Sequence, residues 1–231
     1  MEKEISIDSN GFRKDDYEFF VFVGDVGGSN SYFGIMGVKD NKNFNIIIKY
    51  KMETPDVTNI HEIINTILGE VKLVYDIEVN RCCIGAAGPV SRKRGYIKLT
   101  NIDLEVNAQE IMDNTMLNKV ILVNDFEACG YGLDLIDMDT DTVKVEHVGE
   151  DKTMGWTREN VYAVLGAGAG LGVSVVYYDN DTHLHVPLPS EGGHMDFVVH
   201  DDFDFEFVKY LKKNILQKKD AQPEFERVLS G

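Results

Sequence analysis

The sequence predicts an α/β protein of two lobes, each of which begins with a small antiparallel β-meander. Three strand-like runs follow one another between Phe19 and Tyr50 with short turns between them, and an amphipathic helical pattern comes next. A second series of three strand-like runs begins at Val161 and again leads into helical patterns. The chain has 231 residues, of which 43% are hydrophobic, so it is long and apolar enough for one large or two modest domains.

Changes in composition along the chain predict the domain boundaries. Residues 1–18 are polar and aperiodic, which indicates an N-terminal tail. Residues 19–136 are expected to form the first α/β lobe, and residues 137–231 the start of the second. The polar segment 137–159 is interpreted as the connector, although its TVKVEHV portion also fits an edge strand.

The elements of the first lobe follow from the periodicity of its apolar residues. A helix is expected over 58–75, because isoleucines, leucine and valine recur there on one face, with Thr58 as a plausible N-cap. Two further buried strands are expected at 81–88 and 119–125, with a short helix from about Asn107 between them.

The second lobe has the same kind of pattern. The runs VYAVLGAG, GVSVVYYD and THLHVPL predict three strands, each bounded by glycine or polar turn residues. A long helix is expected at about 203–218 and a short one at about 223–229.

Charge and cysteine content restrict the possible partners and the compartment. Twenty-three Lys and Arg against 39 Asp and Glu give a net charge of −16, which would repel nucleic acid and anionic membranes. The three cysteines have no disulfide or zinc spacing, and two of them, Cys82 and Cys83, are adjacent. With no apolar signal segment, these features predict a cytoplasmic protein without a membrane or nucleic-acid partner.

The segment DVGGSN between the first two strands is a candidate phosphate-binding loop. Gly27 and Gly28 allow positive φ, so the backbone can fold tightly and direct its N–H groups at an anion. Ser29 and Asn30 add side-chain donors, and Asp25 is placed to hold Mg²⁺ through water. Taken alone, the segment fits a glycine-bearing hairpin turn better than a phosphate loop.

The segment GAGAGLG offers a second such loop at the start of the second lobe. Gly168, Ala169 and Gly170 form its centre, where backbone amides are able to gather around phosphate oxygens. A wide hairpin with kinked strands explains the same glycines equally well. Two such turns, each opening a lobe, favour a polyphosphate ligand held by both.

The motif VND ends a buried strand and places Asn124 and Asp125 where open α/β sheets bind their ligands. The carboxylate of Asp125 is able to accept a proton from a hydroxyl nucleophile, while the amide of Asn124 donates to and accepts from hydroxyls. A plain helix N-cap is the competing interpretation of Asp125, and the two roles are compatible.

The motif SEGGH follows the third strand of the second lobe and has the features of a sugar-binding turn. Glu191 is able to bridge two vicinal hydroxyls, and His194 to bond a third. A core histidine beside a structural turn explains the motif equally well. Asn101 gives a weak signal, and Glu226 by itself resembles a solvated charge.

Together and in this order, these segments resemble the bacterial-type glucokinases of the actin/hexokinase/sugar-kinase superfamily. The resemblance rests on five segments: GDVGGSN, NDFEACGYGL, LGAGAGLGV, SEGGHMDF and ERVLSG. It runs from about Phe20 to Gly231 and corresponds to roughly the first two-thirds of a typical member.

The resemblance implies two ribonuclease-H-like (actin-like ATPase) lobes that close on ATP, Mg²⁺ and glucose, with a phosphoryl group transferred to the sugar 6-hydroxyl in the first step of glycolysis. It implies that Asp125 is the general base and that the sugar hydroxyls are held by Asn124, Glu191, His194 and Glu226, with Asn101 a lesser candidate. The implied phosphate-binding residues are Asp25, Gly27, Gly28, Ser29, Asn30, Gly168, Ala169 and Gly170.

Three departures from the family pattern qualify the resemblance. Ala169 stands where a threonine is usual, and Ser31-Tyr32 stands where a small residue and an arginine are usual. The chain also ends at Gly231, so the second lobe is expected to be incomplete and to lack the adenosine site.

Alternatives therefore stay open at the level of sequence. One is a kinase for another hexose or an amino sugar. A second is a non-catalytic sugar-binding remnant, and a third is a fragment that does not fold alone. A homodimer is compatible with the sequence.

Overall fold

A computed structural model describes residues 1–5, 12–40, 43–100, 102–137, 139–143, 160–168, 170–216 and 222–230. The chain divides into two compact units, residues 1–125 and 126–231, whereas the sequence predicted a boundary after residue 136. The segment 144–159 lies outside the described residues, and it includes most of the predicted connector and all but the first two residues of its TVKVEHV run.

The first unit contains the strands β1 (Glu2–Ile5), β2 (Phe19–Val26), β3 (Asn30–Val38), β4 (Phe44–Glu53), β5 (Arg81–Ala86), β6 (Tyr96–Lys98), β7 (Glu105–Asn107) and β8 (Lys119–Asn124). The helices among its described residues are α1 (Ile60–Tyr75) and α2 (Ala108–Asn114). The unit is built on a mixed six-stranded sheet with the strand order β1-β4-β3-β2-β5-β8, and β6 and β7 form a small two-stranded sheet.

The pairing within the large sheet explains where polar residues collect. Strands β2, β3 and β4 form the predicted antiparallel meander. Strands β2, β5 and β8 pair in parallel, so their carboxyl ends lie at one edge of the sheet. Loops that follow parallel strands at such an edge are the usual place for ligand-binding residues in α/β proteins.

The described parts of the first 18 residues are attached to this unit, unlike the loose tail that their polarity predicted. Strand β1 adds to the edge of the sheet by pairing with β4. The ring of Phe12 stacks on Tyr17 at a centroid distance of 5.9 Å and meets Tyr75 edge-on at 5.4 Å. Non-local pairing of this kind leaves no periodic signal in a short polar segment.

Helix α1 packs its predicted apolar face into the core of the first unit. Ile64, Ile67 and Val71 are fully buried there in one cluster with the strand residues. The helix begins at Ile60, and its N-cap is Asn59 rather than the predicted Thr58, because the side chain of Asn59 accepts the capping hydrogen bond from the Glu62 amide at 3.3 Å.

The second unit contains the elements α3 (Asp125–Tyr131), which starts at the last residue of the first unit, β9 (Val161–Ala167), β10 (Leu171–Asp179), β11 (Leu184–Leu188), α4 (Asp202–Asn214) and α5 (Phe225–Leu229). Strands β9, β10 and β11 form an antiparallel sheet with the order β11-β10-β9, which confirms the second predicted meander. One face of β10 buries Ser174 and Val176, while Val175 and Tyr177 on the other face are exposed. Among the described residues, no helix is both long and apolar enough to cross a membrane.

Candidate active site

Two acidic residues lie at the carboxyl ends of parallel strands in the first unit. Asp25 near the end of β2 pairs with Gly85 of β5, and Gly85 pairs in turn with Val123 of β8, two residues before Asp125. Asp25 remains accessible to water, yet its pKa is raised, first by partial desolvation and second by the negative charge of Asp125. The two predicted acidic residues therefore lie within electrostatic range, although 100 positions separate them in the chain.

Asn124 is held in a fixed orientation beside this pair. Its side chain is buried, and its amide Nδ2 donates to the carbonyl of Gly88 at 3.2 Å. Asn101 lies outside the described residues, but the amide of its neighbour Thr100 donates to the carbonyl of Ala87 at 3.1 Å. The loop that precedes Asn101 is thereby attached to the end of β5.

The first glycine loop joins β2 to β3 as a tight hairpin. The Gly27 amide donates to the carbonyl of Asn30 at 3.1 Å, and a Cβ at Gly27 would lie 3.0 Å from that same oxygen. None of the glycines in the described ranges has a positive φ, so the turn does not use the left-handed conformation that Gly27 and Gly28 allow. At Gly27 the missing side chain instead allows a close backbone approach to the carbonyl of Asn30.

Thr54, which the sequence did not single out, stabilises this loop through hydrogen bonds. It is fully buried, and its hydroxyl donates to the carbonyl of Gly27 at 2.9 Å and lies 2.9 Å from the hydroxyl of Ser31. Its amide also donates to the carbonyl of Ser29 at 2.9 Å. The sequence around Thr54 does not indicate this role, because its three partners lie in the hairpin between β2 and β3 and not near Thr54 in the chain.

We expect Thr54→Val to destabilise the first unit by about 1–2 kcal/mol, because the isosteric change leaves the partly buried carbonyl of Gly27 and the buried hydroxyl of Ser31 with one partner fewer. Urea unfolding measures the change. Thr66→Val is the matched control, since the hydroxyl of Thr66 bonds only within the exposed surface of α1. Equal losses in the two variants would contradict the supporting role.

The second glycine loop connects β9 to β10 in the second unit. The Gly168 amide donates to the carbonyl of Gly170 at 2.8 Å, and Ala169 between them lies outside the described residues. Cβ atoms at Gly166 and Gly172 would lie 2.5 Å and 1.8 Å from the ring of Phe126. The outer glycines of the motif therefore make room for an aromatic ring, and the central ones form the turn.

The predicted sugar-binding residues of the second unit come together around His194. Its Nε2 atom lies 3.9 Å from a carboxylate oxygen of Glu191 and 3.9 Å from one of Glu226. These separations are too long for direct hydrogen bonds. One hydroxyl oxygen placed between the imidazole and either carboxylate is able to bond both, so the arrangement suits a polyhydroxylated ligand.

Close backbone packing joins this turn to the second glycine loop. A Cβ at Gly193 would lie 1.9 Å from the carbonyl oxygen of Leu171. The Leu171 amide donates to Glu226 at 3.1 Å, and a Cβ at Gly170 would lie 2.9 Å from the same carboxylate oxygen of Glu226. Glu226, which looked like a solvated charge in the sequence, therefore contacts both segments. Glu224, which the sequence analysis missed altogether, contacts His194.

Asp25 and Asp125 form an acidic edge of the first unit, where a hydrated Mg²⁺ is the expected ligand. In the part of the chain that the structure describes, no three His, Cys, Asp or Glu side chains are arranged to hold a metal directly. The mutual repulsion of Asp25 and Asp125 nevertheless suits a hydrated cation, which would relieve it. The residues fit a magnesium ion held through water.

We expect Asp25→Asn to stabilise the protein against heat at neutral pH, by about 1–2 °C. Folding raises the pKa of Asp25, so folded-state stability falls as pH rises from the ordinary pKa of an aspartate to the raised value, and above that value the whole loss is present. Differential scanning fluorimetry without divalent cations measures the midpoints. The gain should shrink at about pH 4, and a lower midpoint at both pH values would contradict the prediction.

The chain is similar in sequence to known glucokinases. The Glucokinase family model matches residues 22–231. The glucokinase of Trichormus variabilis is 29% identical over 213 residues, which cover 91% of this chain and 57% of the relative. The chain therefore spans little more than half the length of that relative.

Solved structures show the same fold. The glucokinase of an Antarctic psychrotroph superposes with a TM-score of 0.65 at 25% identity, covering 92% of this chain and 61% of the other. The glucokinase of Balamuthia mandrillaris, solved with glucose, superposes with a TM-score of 0.70 at 17% identity, covering 92% and 60%.

A mixed central sheet with these neighbours defines an α/β protein of the actin-like ATPase fold, the fold shared by glucokinases and related sugar kinases. Within that class the family model settles the assignment, because it covers most of the chain. The chain belongs to the Glucokinase family.

Proposed function

We propose that the protein takes part in the ATP-dependent phosphorylation of glucose at its 6-hydroxyl, and that the two compact units correspond to the two ribonuclease-H-like lobes of such a kinase. The observation that carries the proposal is the position of Asp125. It follows a buried parallel strand and lies within electrostatic range of Asp25, as a base and a metal-binding carboxylate of a phosphotransferase would.

The proposed roles follow from the chemistry of each side chain. Asp125 accepts the proton of the 6-hydroxyl as that oxygen attacks the γ-phosphorus of ATP, and the bond from phosphorus to the β,γ-bridging oxygen breaks. Asn124 orients the sugar, with Asn101 as a further candidate. The other sugar-binding residues are Glu191, His194 and Glu226.

The two glycine loops are proposed to bind the phosphates through backbone amides and short polar side chains. The loop at 27–30 and the loop at 168–170 contain no Lys, Arg or His, so the amides themselves provide the positive field. When bound, Mg²⁺ neutralises charge on the transferring phosphoryl group, and Asp25 is the residue proposed to hold it through water. ADP and glucose 6-phosphate are then the expected products.

The test is glucose-dependent release of ADP by the purified chain with ATP and Mg²⁺, together with calorimetric measurement of glucose binding. Turnover with glucose supports the proposal, and faster turnover with mannose, fructose or an amino sugar would reassign the substrate. Glucose binding without turnover would favour the non-catalytic sugar-binding alternative. Neither binding nor turnover from a chain shown to be folded by circular dichroism would refute the proposed function.

A further inference from the structure

We propose that Glu224 is a positioning residue for the sugar site, which holds His194 so that its Nε2 atom faces the sugar as a hydrogen-bond donor. The inference rests on the proposed function and extends it, since Glu224 lies outside the set of residues assigned to the sugar above. It is carried by a direct contact: the carboxylate of Glu224 lies 2.8 Å from Nδ1 of His194.

The backbone fixes this contact before the side chains are considered. Glu224 forms an antiparallel bridge with Asp196, two residues after His194. The Phe225 amide donates to the carbonyl of Met195 at 2.9 Å, and the Phe197 amide donates to the carbonyl of Pro223 at 2.8 Å. These two hydrogen bonds hold the segment before α5 against the turn that carries His194, so Glu224 reaches the imidazole at little cost in conformational entropy.

The chemistry of the pair determines the orientation of the ring. An ionised carboxylate only accepts hydrogen bonds, so Nδ1 of His194 carries the proton that it donates to Glu224. The ring is thereby fixed with Nε2 directed at Glu191 and Glu226, each 3.9 Å away. A ligand hydroxyl that donates its proton to one of these carboxylates needs a donor for its oxygen lone pair. Because Nδ1 already carries a proton, Nε2 is that donor when His194 is in its doubly protonated, imidazolium form.

The charges around His194 favour its protonated form. Three carboxylates face the ring, those of Glu191, Glu224 and Glu226. The pKa of His194 is raised, mainly by the hydrogen bond to Glu224, with smaller contributions from the charges of Glu226 and Glu191 and an opposing effect of desolvation. Glucose affinity should therefore be highest below this raised pKa and should decrease as pH rises through it.

The first experiment needs no sugar. Long-range ¹H–¹⁵N spectra of the full chain follow the titration of His194, whose signals are assigned by their loss in His194→Gln. The expected result is a proton on Nδ1 of neutral His194, and a lower titration midpoint in Glu224→Gln than in the wild type. Glu206→Gln is the matched control, since it removes the same charge from α4, where Glu206 bonds Lys209. An unprotonated Nδ1, or the same midpoint in all three proteins, would overturn the inference.

The second experiment measures glucose dissociation constants by calorimetry between about pH 5.5 and 9. Near neutral pH, Glu224→Gln should weaken binding about tenfold, with a smaller effect at the acidic end where both proteins carry a protonated His194. Glu224→Asp, which retains the charge, should restore part of the loss. A purely structural role would lower affinity equally at every pH, and that outcome would overturn the inference.

The same measurements separate failure of this inference from failure of the proposed function. If the wild type binds glucose and Glu224→Gln binds it equally well across the pH range, the positioning role is refuted and the proposed function stands. If the folded wild type binds no glucose or other hexose, the proposed function is refuted. The role of Glu224 in sugar binding is then refuted with it, whatever the titration of His194.

Discussion

Replacing Asp125 with asparagine is expected to reduce kcat for glucose phosphorylation by about 10³-fold while leaving the dissociation constant for glucose nearly unchanged. The substitution keeps the size and polarity of the side chain at the end of β8, so the sugar contacts of its neighbours persist. It removes the only group at this position that is able to accept the hydroxyl proton. Steady-state kinetics by coupled ADP detection, combined with calorimetry for glucose, measures the two quantities separately.

Asp113→Asn is the matched control for this variant, because it removes the same charge from the exposed surface of α2 in the same unit. It should leave both parameters at the wild-type values. Parallel losses of rate and glucose affinity in Asp125→Asn would show that Asp125 binds the sugar without acting as a base. Full turnover in Asp125→Asn would refute its catalytic role altogether.

The variant also provides a check that does not depend on turnover. Because the charge of Asp125 contributes to the raised pKa of Asp25, Asp125→Asn should lower the pKa of Asp25 toward its ordinary value. Carboxyl ¹³C chemical shifts followed through a pH titration measure this change. An unaltered Asp25 titration would contradict the electrostatic coupling on which the acidic edge depends.

Substituting Gly193 with alanine is expected to destabilise the second unit by about 3 kcal/mol and to weaken glucose binding strongly. The new Cβ would lie 1.9 Å from the carbonyl oxygen of Leu171, which belongs to the backbone and has little freedom to move. Separating these two segments displaces Glu191 and His194 on one side and the second glycine loop on the other. Chemical denaturation and glucose calorimetry measure the two effects.

Gly132→Ala is the control for this substitution. Gly132 lies in the same unit, and a Cβ there would meet no atom within 4 Å, so we expect its stability to differ little from that of the wild type. If Gly193→Ala unfolds at the same denaturant concentration as Gly132→Ala, the close packing of the turn against β10 is refuted.

The sequence predicted most of the secondary structure of both units because its local signals agree with one another. Apolar runs of period two, glycine-bearing turns and the helical spacing around Ile64 and Val71 all point to the elements that the structure contains. Errors are concentrated where a local signal is weak. Strand β1 is short and polar, and it exists because the exposed edge of β4 offers it hydrogen-bond partners.

In the candidate site, too, the residues with a local sequence signal could be predicted and those that depend on distant partners could not. Asp25, Asp125 and His194 could be found from sequence, since each is a polar residue in a motif that ends or follows an apolar strand. The supporting residues could not, because Thr54 and Glu224 act on partners that come from elsewhere in the chain. A sequence pattern reports the environment of a residue along its own element and gives no information about which distant element packs against it.

By itself, the sequence determined the order of strands and helices, the two glycine loops and the acidic residue at the end of β8, because these depend on backbone propensity and on the alternation of apolar side chains. Only the tertiary structure decided that Asp25 and Asp125 repel each other, that Gly193 lies against Leu171 and that Glu224 bonds His194. These depend on strand register and on pairing between distant segments. Their physical basis is non-local packing, in which a difference of a few ångströms separates a solvated charge from a functional contact.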